Sequence, residues 1–459
     1  MARRTTNAAG STNELRGDVL RVLGVLKVAT ADQIQRLASP HLSYRHSLKA
    51  SPAKQKEART ASHRGAANDL RRHGLAVDGG RTRGGEEVRL LTAAGLAAAA
   101  IDLDREPEEM GGMPKSAGRS GAAHPMTVNE TVIALIRPKP DLDLLDGEPP
   151  QALAAARAAA DAPDGLGTLT SYATEVALPV KGTWKNPALG SARADIVVTA
   201  PGSRVPLLFI EADNCTEDAH LIAAKFEKYA RFFQREEKDA DGIEKPLWAT
   251  RWNAPEATLS DHAHPPVLLV FNQVGKRPAK SQMAKVAQLT RPHWKGEKYG
   301  DHHSYYGRIP IVATTLDLLL EHGMAGPAFW RFGRDHREPL LDAIGNPRLD
   351  AARIRTAQEQ RRREARQSAE REAQRPVCKD CGDKFTDARW AAANDRGWGR
   401  ATHPDLCETC DTRTRQAERQ ADDAEREHQE QERQRQEQER LDQETAAQRP
   451  TGWFGRRRS

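Results

Sequence analysis

The stretch Pro206–Phe233, "PLLFIEADNCTEDAHLIAAKFEKYARFF", decides how the middle of this chain is read. Leu207 to Ile210 is an apolar run that ends in two carboxylates two residues apart, Glu211 and Asp213. Side chains two apart on a strand share a face, so both acids point the same way. A turn follows, then a helical pattern with Ile222, Phe226, Tyr229 and Phe233 at i, i+4, i+7 and i+11. At roughly 100° per residue these four make one apolar stripe, which Leu221 and Phe232 widen. Lys225 falls inside that stripe and Lys228 just outside it. An ammonium group within a buried stripe needs a carboxylate partner, and Glu211 and Asp213 are nearest by topology.

Around this stretch lie further strand candidates: "YATEVALPV" and "ADIVVTA" before it, "PVLLVFN" and "RIPIVATT" after it. The run "HPMTVNETVIALI" reads as a helix carrying Glu130, while Pro149 to Gly167 reads as a loop or weak helix. Strands mixed with helices predict an α/β domain over residues 124–335. Asp195 opens the strand candidate "DIVV" beside Glu211. Asp195, Glu211 and Asp213 meeting Lys225 fit a divalent-ion site, Mg or Mn, of the sort that activates water against a phosphodiester. Asp195 and Glu211 are the expected principal ligands, with Glu130 as a further candidate. The alternative is a structural ion-pair cluster at the end of the sheet.

Toward the N-terminus, "ELRGDVLRVLGVL" is periodic in apolar residues, and Thr30 caps the short helix "ADQIQRLA". A basic loop leads to a third helix, Arg59 to His73. Two short runs around "GGRTRGG" then form a hairpin signal, and Thr92 opens an Ala-rich helix. This order predicts a winged helix-turn-helix over residues 13–104, after a disordered tail at 1–12. The third helix would present Arg59, His63, Arg64, Asn68, Arg71 and Arg72, with Ala61, Ala66 and Leu70 packed inward. Arg81 and Arg83 at the hairpin tip can reach phosphate. From His41 to Leu90 the chain has 11 Lys/Arg against 5 Asp/Glu, which favours double-stranded DNA over a plain protein partner. Residues 105–123, rich in Gly, Pro and charge, read as a linker.

Near the C-terminus "CKDC" and "CETC" place Cys378, Cys381, Cys407 and Cys410 in two C-x-x-C pairs. Two such turns complete a tetrahedral site, and four thiolates close it, so a structural zinc is expected over residues 376–412. Phe385, Trp390 and Trp398 are too small a core to fold alone without metal. His403 is a possible substitute ligand. Residues 350–375 and 413–459 are helix-prone with almost no apolar stripe, as solvated arms or docking segments for replication or transfer proteins would be.

The 459 residues suffice for two or three domains. A hydrophobic fraction of 38% against 29% charged residues implies that part of the chain lies outside any core. The net charge of +6 suits a polyanionic partner. No run of 18 apolar residues suggests a membrane span, and "MARRTTNAAGSTNE" does not look like a signal peptide, so a cytoplasmic location is expected.

"ADIVV", "LLFIEAD" and a following helix with a lysine and "KYARFF" resemble the PD-(D/E)XK nuclease core. Closer still, the chain resembles the bacterial replication-relaxation proteins of actinobacterial plasmids and integrative elements. The shared "E-x-D…K…Y" signature falls here on Glu211, Asp213, Lys225 and Tyr229, and the resemblance covers roughly Leu15 to Trp330. It implies a role in plasmid replication and DNA relaxation. The nuclease core has lysine where this chain has Asp213, so Lys225 would have to replace it from the helix. Without that replacement the domain would be a non-catalytic DNA-binding relative. The expected architecture is thus α/β multidomain: a winged helix, a PD-(D/E)XK-like domain, and a zinc ribbon flanked by charged helices.

Overall fold

Thr12 starts the first helix, its hydroxyl accepting the Leu15 N–H, and the apolar periodicity that follows buries Val19, Val22, Leu23 and Leu26. This computed structural model describes residues 10–112, 123–238, 242–252, 264–394 and 402–447. The expected tail at 1–12, most of the second half of the linker, Trp398 and the last residues of the chain lie wholly or largely outside them. After α1 (Asn13–Leu26) come β1 (Val28–Thr30) and α2 (Ala31–Ala38). Thr30 and Gln33 form a reciprocal capping box at the start of α2. The basic loop contains a short α3 (Leu42–Arg45), and Ser51 and Pro52 begin α4 (Pro52–Arg72). That helix therefore starts at Pro52 rather than Arg59, because a Ser N-cap followed by Pro is a complete helix-start signal. β2 (Ala76–Arg81), β3 (Glu87–Leu91) and α5 (Ala93–Asp102), capped by Thr92, complete the segment. The three strands pair in the order β1-β3-β2.

The inward face of α4 differs from the expected one. Thr60, His63, Ala66, Ala67 and Leu70 are buried, whereas Ala61 is exposed. His63 is thus a core residue, and burial pushes its imidazole down to about 4. The helix has a single large apolar residue, Leu70, so the 60/63/67/70 repeat sets its rotation, and that stripe excludes Ala61.

The second half is built from α6 (Ala123–Ile136), α7 (Pro150–Ala160), β4 (Tyr172–Leu178), β5 (Ala192–Ala200), β6 (Val205–Asp213), α8 (Ala219–Phe233), β7 (Glu236–Lys238), β8 (Glu244–Pro246), α9 (Leu247–Arg251) and β9 (Val267–Phe271). Then follow α10 (Ala279–Leu289), α11 (Arg291–Trp294), β10 (Glu297–Tyr299), β11 (His302–Ser304), β12 (Ile311–Thr315), α12 (Leu316–His322), β13 (Trp330–Arg331) and α13 (Leu340–Ile344). The stretch expected to be a loop or weak helix contains α7, whose alanines supply the propensity. A six-stranded sheet has the order β13-β12-β9-β6-β5-β4. β4, β5 and β6 form an antiparallel meander, and β6, β9 and β12 run parallel. The parallel step from β6 to β9 needs a crossover, which contains α8.

One face of the sheet, with Ile196, Val198, Leu208, Ile210 and Leu268, shares a continuous core with α6 and with α1, α4 and α5. The other face, with Phe209, Leu269 and Phe271, packs on α8 through Phe226, Tyr229, Phe232 and Phe233 and shares that core with Met283 and Val286 of α10. Edge-to-face rings such as Phe209 against Tyr229, 5.8 Å apart, add about 0.5–1.5 kcal/mol per pair beyond area burial. Leu221, expected in the stripe of α8, is 61% exposed. It lies at the margin of the arc.

Everything up to Ala352 forms one compact unit, and residues from Arg353 onward form a second. α14 (Pro347–Ala373) crosses that boundary; α15 (Asp387–Asn394) and α16 (Glu408–Ala447) belong to the second unit. Both long helices have almost wholly exposed side chains, as their composition requires. Among the described residues no helix is long and apolar enough to cross a membrane.

Candidate functional site

Two neighbouring strands turn over at one point, and that point carries the carboxylates. In β4 Tyr172 faces one core while Val176 and Leu178 face the other; in β5 Ala192 and Ala194 face one and Ile196 and Val198 the other. Strict alternation would keep these even-numbered residues on one side. The reversal falls at Glu175 and Asp195, which lie between the pairs Thr174↔Ile196 and Val176↔Ala194. Glu175 takes a left-handed φ of 57°, a conformation a glutamate adopts only under constraint. Pairing of β5 with β6 runs up to Ile196↔Ile210. Beyond it the Ala212 N–H donates to Asp195 Oδ2 at 2.9 Å, a side chain standing in for a ladder carbonyl.

Glu211 sits on β6, only 2% exposed. Tyr229 Oη donates to its Oε1 at 2.6 Å and Lys225 Nζ to its Oε2 at 3.3 Å. The E…K…Y part of the signature is therefore one hydrogen-bonded group, brought together because Lys225 and Tyr229 lie one turn apart on α8. Lys225 also pairs with Glu217 at 3.5 Å. Burial, reinforced by the charge of Asp195, pushes the Glu211 carboxyl up to about 7. Glu211 in turn holds the Lys225 ammonium well above its ordinary value.

Asp213 is set apart from that group. Its Oδ2 accepts the Cys215 N–H at 2.7 Å and shapes the turn after β6, and burial raises its carboxyl. Glu130 is also elsewhere: its carboxylate accepts Gln33 Nε2 at 2.9 Å and pairs with Arg36 on α2. In its place the structure brings two residues that the sequence pattern did not single out. His124, at the start of α6, puts Nε2 3.3 Å from Asp195 Oδ1. Burial alone would lower His124, but the hydrogen bond and charge of Asp195 outweigh it and lift the imidazole to about 8. Ligand atoms of His124, Glu175 and Asp195 lie within 4.8 Å of one another, a geometry that can hold a metal ion.

The exposed side of α4 and the β2–β3 tip is basic. Arg64, Arg71, Arg72, Arg81 and Arg83 are exposed. Arg59 is drawn back onto Asp32 of α2 at 2.5 Å, and Asn68 accepts Arg89 Nη2 at 3.0 Å. Ion pairs link helix and hairpin: Lys56 with Glu86 at 2.6 Å and Arg71 with Asp78 at 3.6 Å. Arg81 pairs with Glu87 at 3.1 Å, within the hairpin.

In the second unit the sulfurs of Cys378, Cys381, Cys407 and Cys410 all lie within 4.8 Å of one another and can hold a metal such as zinc. Gly382, at φ 79°, closes the first turn, its N–H donating to Cys378 O at 3.0 Å. The Cys407 N–H donates to Cys378 Sγ at 3.2 Å, an orientation that favours thiolate. His403 instead faces Glu418 at 3.2 Å, outside the sulfur cluster. Arg389, on α15, ties down the second cysteine turn. It donates to Leu406 O at 2.7 Å and His403 O at 2.6 Å, and pairs with the buried Asp411 at 3.1 Å.

Among protein families, the model of the replication-relaxation family matches residues 20–245. No curated protein and no solved structure matches the chain.

Proposed function

Since residues 20–245 place this chain in the replication-relaxation family, we propose that it acts in replication or relaxation of plasmid or other mobile-element DNA. In this reading a winged helix holds duplex DNA, and a PD-(D/E)XK-like domain nicks one strand with the help of a divalent ion. The observation that carries the proposal is the junction of Asp195 and Glu211 at the fork between β5 and β6, with Lys225 and Tyr229 on Glu211. The antiparallel meander β4-β5-β6, with α6 earlier in the chain, α8 directly after it and β9 added parallel to β6, supports it. The exposed arginines of α4 and the hairpin would neutralise phosphate, while the four cysteines would hold a structural zinc. A cytoplasmic location follows from this role.

When bound, the ion would supply Lewis acidity and an acidified water. The chain's own groups then do the rest. Asp195 and Glu211 would bind the ion. Lys225, kept protonated by Glu211, would orient the nucleophile or face the charge that develops on phosphate. Tyr229 fixes the Glu211 carboxylate in place.

A second reading has its own support. Lys225 already bridges Glu211 and Glu217, and Asp213 is spent on a backbone N–H, as in a structural ion-pair cluster of a non-catalytic DNA-binding factor. Incubation of supercoiled plasmid with the protein, with and without magnesium or manganese, separates the two. Nicked product that disappears in Asp195→Ala and Glu211→Gln, with DNA binding retained, supports the enzyme. A gel shift without nicking under any ion supports the binder.

A further inference from the structure

We propose that His124, Glu175 and Asp195 hold a divalent ion of the manganese class in preference to magnesium, through a nitrogen ligand delivered by α6. This rests on the reading of a metal-dependent site and names the ion and two further ligands, His124 and Glu175.

The three ligand atoms already converge within 4.8 Å, so small side-chain movements bring them to the separation that a shared ion at roughly 2.1–2.2 Å requires. In both carboxylates one oxygen is engaged by a protein donor. Asp195 Oδ2 takes the Ala212 N–H at 2.9 Å, and Glu175 Oε2 takes Arg193 at 3.1 Å. Those hydrogen bonds orient the second oxygen of each toward the ion, as outer partners of metal ligands do. The carboxylates balance the charge of the ion, and His124 releases its proton on binding to become a neutral nitrogen donor.

The placement has a mechanical origin. The strands turn over at Glu175 and Asp195 together, which sets two opposed residues at the fork. His124 Nε2 reaches Asp195 Oδ1 at 3.3 Å, long for a hydrogen bond. Glu211, held by Tyr229 and Lys225, would reach the same ion from β6 beside Asp195.

The ligand type selects the ion. Magnesium prefers all-oxygen octahedra and dehydrates reluctantly. Imidazole favours the later first-row ions, and carboxylates admit manganese.

The test uses the full chain with zinc on its C-terminal cysteines. Added manganese chloride is followed by the electron paramagnetic resonance signal of the free aquo ion, with magnesium chloride as competitor. One manganese site is expected, resistant to a tenfold excess of magnesium and weakened at least tenfold in both His124→Ala and Glu175→Gln. Circular dichroism checks folding, and Glu175→Gln, which keeps the bond to Arg193, decides if His124→Ala unfolds. Manganese affinity within twofold of wild type in the folded variants, or displacement by equimolar magnesium, overturns the proposal. Manganese bound in this pattern without any nicking refutes the nuclease reading and leaves the site standing. Nicking that needs Asp195 and Glu211, with unchanged manganese affinity in the His124 and Glu175 variants, removes this inference alone.

Discussion

Replacing Arg389 by methionine should cripple the C-terminal metal site without touching a cysteine. The Arg389 side chain is 7% exposed and its partner Asp411 1%. Methionine fills much of the volume but deletes three guanidinium hydrogen bonds, to Asp411, Leu406 O and His403 O. Removing one member of a buried charge pair costs about 3–5 kcal/mol. Arg415 still reaches Asp411 from the exposed side, so the lower figure applies, about 3 kcal/mol. With the few apolar residues around the site, Phe385 foremost, folding there is coupled to metal binding, and the loss appears in zinc affinity. At 1.4 kcal/mol per tenfold, zinc should bind roughly 100-fold more weakly. Competition with a chromogenic chelator on the full chain measures this, and Arg366→Met, which removes an exposed i,i+4 pair with Glu370, serves as the control. Zinc affinity in Arg389→Met within threefold of wild type would refute the argument that this arginine anchors the second cysteine turn to α15.

Other outcomes follow from the same geometry. Freshly purified protein should carry one zinc per chain, and Cys407→Ser should lose most of it together with local protection from proteolysis; metal analysis and limited digestion report both. Arg64→Ala and Arg71→Ala should weaken duplex binding and lower its salt slope by about one unit for each phosphate no longer neutralised; an unchanged slope in both places the DNA elsewhere. Tyr229→Phe keeps the ring but strips the hydroxyl from buried Glu211, which should destabilise the first unit by about 1–3 kcal/mol. Urea unfolding followed by tryptophan fluorescence tests this, and no shift in midpoint would mean that the hydroxyl contributes nothing net.

The sequence made the sheet legible wherever strands are continuous apolar runs, as "LLFI" and "VLLVF" are, and it made Glu211, Lys225 and Tyr229 legible through helical spacing. It hid His124 and Glu175 for a physical reason. A glutamate in "YATEVAL" looks like an ordinary solvent-facing strand residue, and only the left-handed backbone at 175, paired with the reversal at 195, turns it toward Asp195. His124 opens a run that reads as a helix, but nothing local shows that it meets Asp195, 71 residues further on. The same limit misplaced His63 and Ala61, because a helix of alanines and arginines carries too weak a stripe to fix its rotation. Arg389 gave no signal at all, since its partners are two carbonyls and an acid 22 residues away.

The outer strand of the sheet is covered by chain that precedes it. Gly112 N–H donates to Glu175 O, Arg105 to Tyr172 O and Thr170 O, and Thr174 Oγ1 to Val25 O. The approach is so close that a Cβ on Gly111, at φ 73°, would stand 2.2 Å from Thr174 O. An uncovered strand edge is a template for pairing with another chain. The N-terminal helices and the segment behind them thus act as a guard against self-association. A truncated protein beginning at residue 123 would expose that edge and stick to its own copies. Its failure to work on DNA would then report aggregation rather than the absence of a DNA-reading module.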